Sequence, residues 1–461
     1  MSKANQTSVA RASANGKSAF IRPTLNRGLA ILGTSGLVIG LGITSSTPAV
    51  ANGIECTDGN TVTQGESEAA TQGAIEDILE AADTVCLSGD IVISETLYFT
   101  KNIKVKGDGE ASIETLDSGG VFLSDESEEF APLHEIYIEN LSIRNAGSFG
   151  NPDPAVFGSV VEIIDSTFEG NSYGAIIGRD VTVSNSTFVN NSSDDFNFFN
   201  GGAIRAELTV SVFDSTFVNN RAGNGGAIYA TTVSIQNSTF LNNSADDEGG
   251  AIYAQGSQVF YSTFVDNLAA NPPEDPDDDI PGNAIYKTGT SQFRLGANIF
   301  AGSSPHPQLG YGGGGPPEFL QFTDRGANVF STLETTETDI IQDPSTKFGR
   351  DLASLFGTDS PSLDTHAPNE NGTQTIALIA GSPALNAVPL SLFDALGVLF
   401  DQRGEPRTHP ADAGAFEGFV SRNLATTGTA SPWWAAWYSA AILAIGGLAV
   451  AYAKRTRRRI R

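Results

Sequence analysis

The sequence predicts an all-β fold, a right-handed single-stranded parallel β-helix, with an N-terminal capping helix and a C-terminal transmembrane helix. Three observations support this fold class. Short motifs recur in the middle of the 461-residue chain with a period in the low twenties. The segments between them are short and rich in residues that favour strands. Both ends of the chain carry stretches typical of export and anchoring.

Two motifs interleave through the repeat region. A helical repeat would need about 30–45 residues per unit, so the shorter period favours one coil of a β-helix. Equivalent residues of stacked coils then form ladders about 4.8 Å apart, with Phe and Ile inside, Asn at a turn and Gly-Gly at a corner with positive φ. The Phe-x-x-Asn motif begins at Phe168, Phe188, Phe217, Phe240 and Phe264. Gly-Gly-Ala-Ile begins at Gly201, Gly225 and Gly249, with degenerate copies at Gly174 and Gly282.

These paired motifs resemble the repeat of chlamydial polymorphic outer-membrane proteins and of many bacterial surface proteins with right-handed parallel β-helices. The resemblance covers about residues 168–285. It implies a passenger-like, pectin-lyase-like solenoid and a role in adhesion.

Length variation in the repeat is confined to one point of the coil. Each Gly-Gly precedes the next Phe by a nearly constant distance, whereas the distance from Asn to the next Gly-Gly grows at 192–200 and 268–281. Both insertions should therefore leave from one edge of the solenoid, and such an edge often binds ligands. We predict that aromatic side chains there stack on carbohydrate or contact a host surface. The ligand-binding candidates are Phe196, Phe198 and Phe199.

Acidic residues are concentrated at the same edge. Carboxylates are the oxygen ligands that Ca²⁺ prefers, although the spacing is not that of an EF-hand. The function requires no cofactor, and two interpretations stay open: a bound Ca²⁺ or solvated acidic loops. The candidate metal ligands are Asp246, Asp247, Glu248, Asp277, Asp278 and Asp279.

A polysaccharide lyase or glycoside hydrolase on the same β-helix is the enzymatic alternative. A lyase needs a basic side chain beside acids, and the best such constellation is Arg205 with Asp194 and Asp195. A hydrolase needs two carboxylates about 5–9.5 Å apart, which the many acids do not exclude. The Gly-His-Gly and Arg-Ile-Lys motifs of polygalacturonases are absent from the sequence. We therefore assign no catalytic residue and expect a protein that is not an enzyme.

The N-terminal region predicts secretion. Residues 1–51 carry five basic and no acidic residues, an apolar run and an Ala-x-Ala end, which is typical of a signal peptide. Residues 52–135 would form the N-terminal cap and the first coils, including a helix over 67–82 with apolar residues at helical spacing. In an exported protein, Cys56 and Cys86 are expected to form a disulfide.

The C-terminal region predicts an anchor. After the repeats at 136–296, residues 297–417 resemble the module that closes the β-helix of anchored surface proteins, and 418–432 form a linker. Residues 433–453 are apolar and long enough to span a membrane, and the basic tail 454–461 should stay in the cytoplasm.

A pentapeptide in the linker adds a second function to this anchor. Followed by an apolar helix and a basic stop, it resembles the sorting signal of sortase-processed surface proteins of high-GC Gram-positive bacteria. The resemblance implies sortase as a transient partner and attachment of Thr427 to peptidoglycan or a pilin. The sorting signal consists of Leu424, Ala425, Thr426, Thr427 and Gly428.

The charge of the segment between the two signals excludes one class of partner. Residues 52–427 carry 15 basic and 53 acidic side chains, a formal charge of −38. Nucleic acid is therefore not expected to bind, because phosphate recognition needs a basic surface. The sequence favours an extracellular, wall-anchored β-helical adhesin or stalk. The alternatives are the polysaccharide enzyme and a purely structural wall spacer.

Overall fold

A computed structural model of the protein describes ten stretches of the chain. All of them lie within one compact unit, Ser45–Arg461. The described residues are 54–116, 119–125, 134–148, 153–193, 200–270, 282–302, 307–312, 322–331, 343–363 and 373–419.

Short strands dominate these residues, and the helices lie near the two ends. The helices are α1 (Glu68–Ala81), α2 (Leu352–Phe356) and α3 (Leu390–Leu396). The strands are β1 (Thr61–Thr63), β2 (Thr84–Ser88), β3 (Asp90–Ile93), β4 (Leu97–Phe99), β5 (Ile103–Gly107), β6 (Ser112–Thr115), β7 (Phe122–Ser124), β8 (Ile136–Glu139), β9 (Ser142–Arg144), β10 (Val156–Ile164), β11 (Thr167–Glu169), β12 (Ile176–Ser184), β13 (Thr187–Val189), β14 (Ile204–Phe213), β15 (Thr216–Val218), β16 (Arg221–Asn224), β17 (Ile228–Gln236), β18 (Thr239–Leu241), β19 (Ser244–Glu248), β20 (Ile252–Phe260), β21 (Thr263–Val265), β22 (Leu268–Ala269), β23 (Ile285–Thr288), β24 (Phe293–Gly296), β25 (Ile299–Ala301), β26 (Leu309–Gly312), β27 (Phe322–Asp324) and β28 (Val329–Phe330).

The strands stack into three parallel sheets. The first sheet follows the order β1-β2-β5-β8-β10-β12-β14-β17-β20-β23-β26, with β4, β7, β24 and β27 beside this path. The second runs β28-β25-β21-β18-β15-β13-β11-β9-β6-β3, and the third is β16-β19-β22. Each strand pairs with its equivalent in the next coil, which is the arrangement of a parallel β-helix.

A row of phenylalanines fills the interior beside the second sheet. The repeated Phe pairs in register, as Phe188 does with Phe217, because the motif returns once per coil. Neighbouring ring centroids lie 4.7–5.2 Å apart, so each buried ring stacks on the next and contributes dispersion and apolar burial. The row consists of Phe168, Phe188, Phe217, Phe240, Phe264, Phe300, Phe330 and Phe348.

The Asn of each Phe-x-x-Asn motif forms a second, polar ladder. Asn220 Nδ2 donates to Asn243 Oδ1 at 2.9 Å and to the Phe188 carbonyl oxygen at 3.1 Å. Its Oδ1 accepts from Asn191 Nδ2 at 3.0 Å. These amides are completely buried, so the ladder satisfies polar groups that water does not reach. The same pattern joins Asn171, Asn191, Asn220, Asn243 and Asn267.

Two turn positions in each coil have positive φ. One precedes the ladder Asn, as at Asn219 with φ of 53°, and the other precedes the Ser-Thr-Phe strand, as at Asp214 with φ of 50°. Asn and Asp tolerate this left-handed conformation better than other side-chain-bearing residues. The two adjacent Asn residues of the repeat therefore have different roles, one conformational and one in hydrogen bonding.

Helix α1 begins where the sequence predicts a helix and packs on the N-terminal strands. Its N-cap Ser67 accepts a hydrogen bond from the Ala70 amide, which stabilises the first turn. Ile75 and Leu79 join the main core, and the helix contacts β1 to β4. Gln64 Oε1 accepts from the Val92 amide of β3 at 2.7 Å. A disulfide joins Cys56 to Cys86 of β2, with Cα atoms 5.8 Å apart.

The C-terminal residues lie against the outside of the second sheet. Val265 and Ile299 of that sheet share a second apolar core with Leu355 and Phe393 of α2 and α3. The coils themselves continue beyond residue 296 to β28, so only part of 297–417 is a separate module. Lys347 pairs with Val329 above the last coil.

Residues 310–312 form the end of β26 and pair with β23, which extends the first sheet into the region expected to be the closing module. No helix among the described stretches is long and apolar enough to cross a membrane. The predicted transmembrane segment 433–453, the sorting signal, the signal peptide and the tail lie outside those stretches.

Candidate functional site

The described ends of the first insertion fix where it leaves the solenoid. Ser192 bridges to Arg221 and Asn200 bridges to Asn224, the first and last residues of β16. Residues 194–199, which include the candidates Phe196, Phe198 and Phe199, lie outside the described residues. The insertion therefore replaces the middle of a third-sheet strand, just before the Gly201 corner.

The second insertion leaves from the equivalent point of a later coil. Its first residues, Leu268–Ala269, form β22 and pair with β19. The chain returns at Gly282, whose carbonyl oxygen accepts from the Gly250 amide. Residues 271–281, with Asp277, Asp278 and Asp279, lie outside the described residues. Both insertions thus interrupt the third sheet at the same corner.

The corner itself requires glycine for two reasons. The first glycine of each pair has positive φ, 60° at Gly225, a conformation that costs other residues energy. A Cβ on the second, Gly226, would lie 2.2 Å from the Gly250 carbonyl oxygen. Adjacent coils therefore approach too closely here for any side chain.

A row of side chains follows the corner on the outer face of the first sheet. Arg205 pairs in register with Tyr229, which pairs with Tyr253, and Tyr253 pairs with Tyr286. The Tyr229 and Tyr253 rings stack with centroids 4.8 Å apart, and Tyr253 and Tyr286 with centroids 5.1 Å apart. The faces of Tyr253 therefore lie between its neighbours; Tyr229 and Tyr253 are half-buried, whereas Tyr286 is buried.

We call this surface the loop edge: the third sheet, the corner glycines 201, 225, 249 and 282, and the row from Arg205 to Tyr286. The Gly-Gly-Ala-Ile motif predicts the corner, and the length variation after Phe-x-x-Asn predicts where the insertions leave. The stacking of coils brings these two features to one edge. The structure adds the third sheet, in which the repeated apolar residue is a buried alanine, at Ala222, Ala245 and Ala269.

The first acidic segment of this edge is part of a strand. Asp246, Asp247 and Glu248 were expected in a short loop, but they lie in β19. Successive strand residues point to opposite faces, so the three carboxylates do not converge. Asp246 accepts from Arg221 at 2.9 Å, an exposed pair of small energetic value. Across the described stretches, no three His, Cys, Asp or Glu side chains are grouped to hold a metal ion.

The lyase-like constellation is only partly described. Arg205 lies on β14 and is partly exposed, whereas its proposed partners Asp194 and Asp195 fall in the first insertion, outside the described residues.

Polar residues of the C-terminal module hold that module to the coils. Arg403 pairs with Asp401, and Arg407 with Glu417 at 3.3 Å. Gln402 Nε2 donates to Thr216 Oγ1 at 2.8 Å, while its Oε1 accepts from Thr239 at 2.6 Å. The two ion pairs lie within the module, and Gln402 joins the module to the coils.

Burial changes the proton affinity of acids in this interface. Desolvation raises the pKa of Asp214 to about 7, against the opposing effects of the Asn237 hydrogen bond and the Arg407 charge. Desolvation likewise raises the pKa of Asp412 to about 6. The pKa of Tyr261 also rises because its hydroxyl is buried.

Comparison with known families supports the repeat. Residues 214–231 and 237–255 match the Chlamydia polymorphic membrane protein repeat. Each match starts at a positive-φ turn residue, Asp214 or Asn237, and runs past the corner to the tyrosine row. The chain is thus a parallel β-helix with repeats of this type. No curated protein and no solved structure matches the chain.

Proposed function

We propose that the protein is a surface-exposed β-helical adhesin or stalk that binds carbohydrate or a host surface through the loop edge. The observation that carries this proposal is the register of the two insertions. Ser192 and Asn200 pair with the two ends of β16, and the second insertion leaves from β22 of the same sheet. Two insertions, the first rich in Phe and Asp and the second rich in acidic residues, therefore leave the coils at the same corner.

The repeat match and the charge support a location outside the cell. The matching repeat is named for a membrane protein of Chlamydia. The formal charge of −27 for the whole chain favours solubility and disfavours binding to nucleic acid. We further propose anchoring through the segment 424–461, by sortase to peptidoglycan or a pilin. With Thr427 replaced by Ala, lysozyme digestion of the wall should release no wall-linked protein, while retention of wall linkage would contradict this.

The regular ladders support a stalk as well as a binder. Buried Phe and Asn rows give the rod a repeating core that does not depend on the insertions. Helix α1 lies at β1 and β3, which end the first and second sheets. We propose that it caps this end, together with the Cys56–Cys86 disulfide, because exposed strand edges promote association.

The central test distinguishes binder, enzyme and spacer. The protein is incubated with acidic and neutral polysaccharides, with Ca²⁺ and with EDTA, and examined by light-scattering chromatography. Co-elution with polymer of unchanged mass supports an adhesin, and loss of that co-elution in EDTA supports a bound Ca²⁺. Falling polymer mass supports the lyase or hydrolase. If the protein neither co-elutes with the polymer nor lowers its mass, the result supports the spacer.

A triple variant tests the proposed edge. Phe196, Phe198 and Phe199 are replaced by Ala, and binding should weaken by roughly tenfold or more, as for removal of aromatic hot spots. The matched control is Phe419→Ala, which removes a ring that is 55% exposed on the C-terminal module. Equal binding by the triple variant and the control would exclude these side chains from the site. Circular dichroism establishes that both variants remain folded.

A further inference from the structure

The residues before the C-terminal linker are buried and are held from two sides. Ala415, Phe416 and Glu417 are buried, whereas Phe419 is 55% exposed. We call residues 414–418 the exit segment, because the linker with the sorting motif follows them in the sequence. A pull on that linker would reach the folded body first at this segment.

One side of the exit segment is bonded to the coils. The Gly414 amide donates to the Ala297 carbonyl oxygen at 2.8 Å, and the Ala415 amide donates to Thr263 Oγ1 at 2.9 Å. Thr263 belongs to β21, and Ala297 lies just before β25, which pairs with β21. The second sheet ends at β28, so the exit segment contacts inner coils and not the last one.

The other side of the exit segment is bonded to the hairpin 399–407. Asp401 Oδ2 accepts from the Glu417 amide at 2.9 Å, and Arg403 Nη2 donates to the Glu417 carbonyl oxygen at 2.7 Å. Arg403 also pairs with Asp401, and its guanidinium carbon lies 3.7 Å from the centroid of the Phe416 ring. Charged side chains of the hairpin therefore bind both backbone polar groups of Glu417.

Two further acids connect the exit segment to its surroundings. The Gly418 amide donates to Asp412 Oδ2 at 2.6 Å, and Glu417 Oε2 accepts from Arg407 at 3.3 Å. Arg407 in turn donates to Asn237 Oδ1 of the coils at 3.0 Å. A load on the exit segment is thus shared between the hairpin and the coils.

This arrangement changes how a β-helix responds to a pull. In a repeat structure each coil contacts mainly its neighbours, so coils can unravel one after another from a loaded end. The exit segment instead directs the load sideways, into β21 and β25. Bonds to the hairpin and to the coils must then open together, and the lifetime under load is set by the rate of that opening.

We propose that the exit segment is a mechanical clamp, which transfers tension on the linker to the inner coils and keeps the rod from unravelling at its C-terminal end. The source of tension rests on the anchoring proposed above, whereas the clamp belongs to the fold and can be measured without an anchor. Failure of the test below leaves the anchoring untouched, because wall linkage of the Thr427 variant tests that separately.

The experiment is single-molecule force spectroscopy of the full chain in two pulling geometries. In the loaded geometry, handles at the N-terminus and the C-terminus send the tension through the exit segment. In the bypass geometry, the second handle is joined to the cysteine of Arg350→Cys, at an exposed position before the hairpin. Cys56 and Cys86 form a disulfide, so the new thiol is the attachment point.

The two geometries should differ in lifetime at the same force. In the bypass geometry the last coil is loaded directly and can peel away from β25. In the loaded geometry several hydrogen bonds to charged groups must open together, so the lifetime should be at least about tenfold longer. Equal lifetimes in the two geometries would overturn the proposal.

A variant of the hairpin separates a clamp from general stabilisation. Asp401→Asn keeps the size of the side chain and removes the charge that pairs with Arg403. It should shorten the lifetime by roughly tenfold in the loaded geometry and by less than about twofold in the bypass geometry. The matched control is Glu405→Gln, the same loss of charge at an exposed position of the hairpin, which should change neither lifetime.

Three checks keep this comparison decisive. Circular dichroism establishes that each variant is folded. If Asp401→Asn does not fold, Arg403→Lys takes its place, since lysine keeps the charge but cannot reproduce the planar contacts of the guanidinium group. Equal shortening in both geometries would show that the side chain only stabilises the fold, and equal lifetimes of the variant and Glu405→Gln in the loaded geometry would likewise overturn the proposal.

Discussion

The guanidinium carbon of Arg407 lies 4.1 Å from the centroid of the Tyr261 ring. Both side chains are buried, and Tyr261 occupies the turn position that holds Asp214 and Asn237 in earlier coils. Arg407 also donates to Asn237 Oδ1 at 3.0 Å and pairs with Glu417 at 3.3 Å. One side chain of the module thus joins two successive coils.

Replacement of Arg407 by Ala should strongly destabilise the C-terminal module. The change leaves Glu417 buried without its counter-ion, and breaking a buried pair in this way costs about 3–5 kcal/mol. The free energy of unfolding is measured by urea denaturation followed by circular dichroism. The control Arg350→Ala removes an exposed arginine and should change stability by no more than about 0.5 kcal/mol. Similar losses in both variants would contradict the role assigned to Arg407.

The adjacent residues Asn219 and Asn220 should respond differently to mutation. Asn220→Ala removes the acceptor of the Asn191 backbone amide and of one side-chain N–H of Asn191, and it removes the side-chain donor to the Phe188 carbonyl oxygen. Each buried group left unsatisfied costs about 1–3 kcal/mol. Asn219→Gly keeps the positive φ of 53° that the turn needs and should be nearly neutral. Thermal unfolding of both variants provides the comparison, and a larger loss for Asn219→Gly would refute the division of roles.

A methyl group should be tolerated at one glycine and not at another. In Gly226→Ala the new Cβ would lie 2.2 Å from a backbone oxygen of the next coil, so the coils must separate and the unfolding temperature should fall. Gly73→Ala, within α1, meets nothing within 4 Å and should stabilise the helix by about 1 kcal/mol. Calorimetry measures whether the unfolding temperature falls in Gly226→Ala and rises in Gly73→Ala.

The stability of the module interface should fall as pH rises from about 4 to 7. Burial raises the pKa of Asp214 from 3.8 to about 7, so the folded state keeps a proton that the unfolded state has lost. Stability from this group is therefore complete below about pH 4 and decreases through the pKa of the folded state. Arg407 opposes the rise in pKa and Asp401 adds to it.

Asp214→Asn should remove this part of the pH dependence. Urea midpoints of the variant and the original protein are compared between pH 4 and 8, where the difference between the two should grow with pH. Glu110→Gln, an equal change of charge at an exposed position, serves as the control. A constant difference between Asp214→Asn and the original protein would contradict the assignment.

The stacked coils were predictable because their motifs return with the period of the coil. The spacing of Phe217 and Phe240 indicates an interior row, and the recurrence of Gly225-Gly226 indicates a corner. Serine of the Ser-Thr-Phe strand also forms a ladder, in which the Ser215 amide donates to Ser238 Oγ at 3.2 Å. Its recurrence was visible, but a small polar residue before a strand does not by itself indicate burial.

The third sheet and the packing of the module were not predictable in the same way. Arg221–Asn224 has no alternation of apolar residues, and it is a strand because equivalent backbone lies directly above it in the next coil. One sequence feature indicates where the C-terminal module packs. The turn position occupied by Asp214 and Asn237 changes to the apolar or aromatic residues Tyr261 and Ala297 in the coils that follow. That change has meaning only after the coils are aligned in register.

The ladder spacing has a consequence for the entropy of the chain. Asn191 and Asn220 are 29 residues apart, with the first insertion between them, whereas Asn220 and Asn243 are 23 residues apart. Since the entropy of closing a loop grows only with the logarithm of its length, the longer coil costs about 0.2 kcal/mol more. The corner before Gly201 can therefore acquire longer or different loops with little loss of stability, which allows recognition to diversify while the rod stays unchanged.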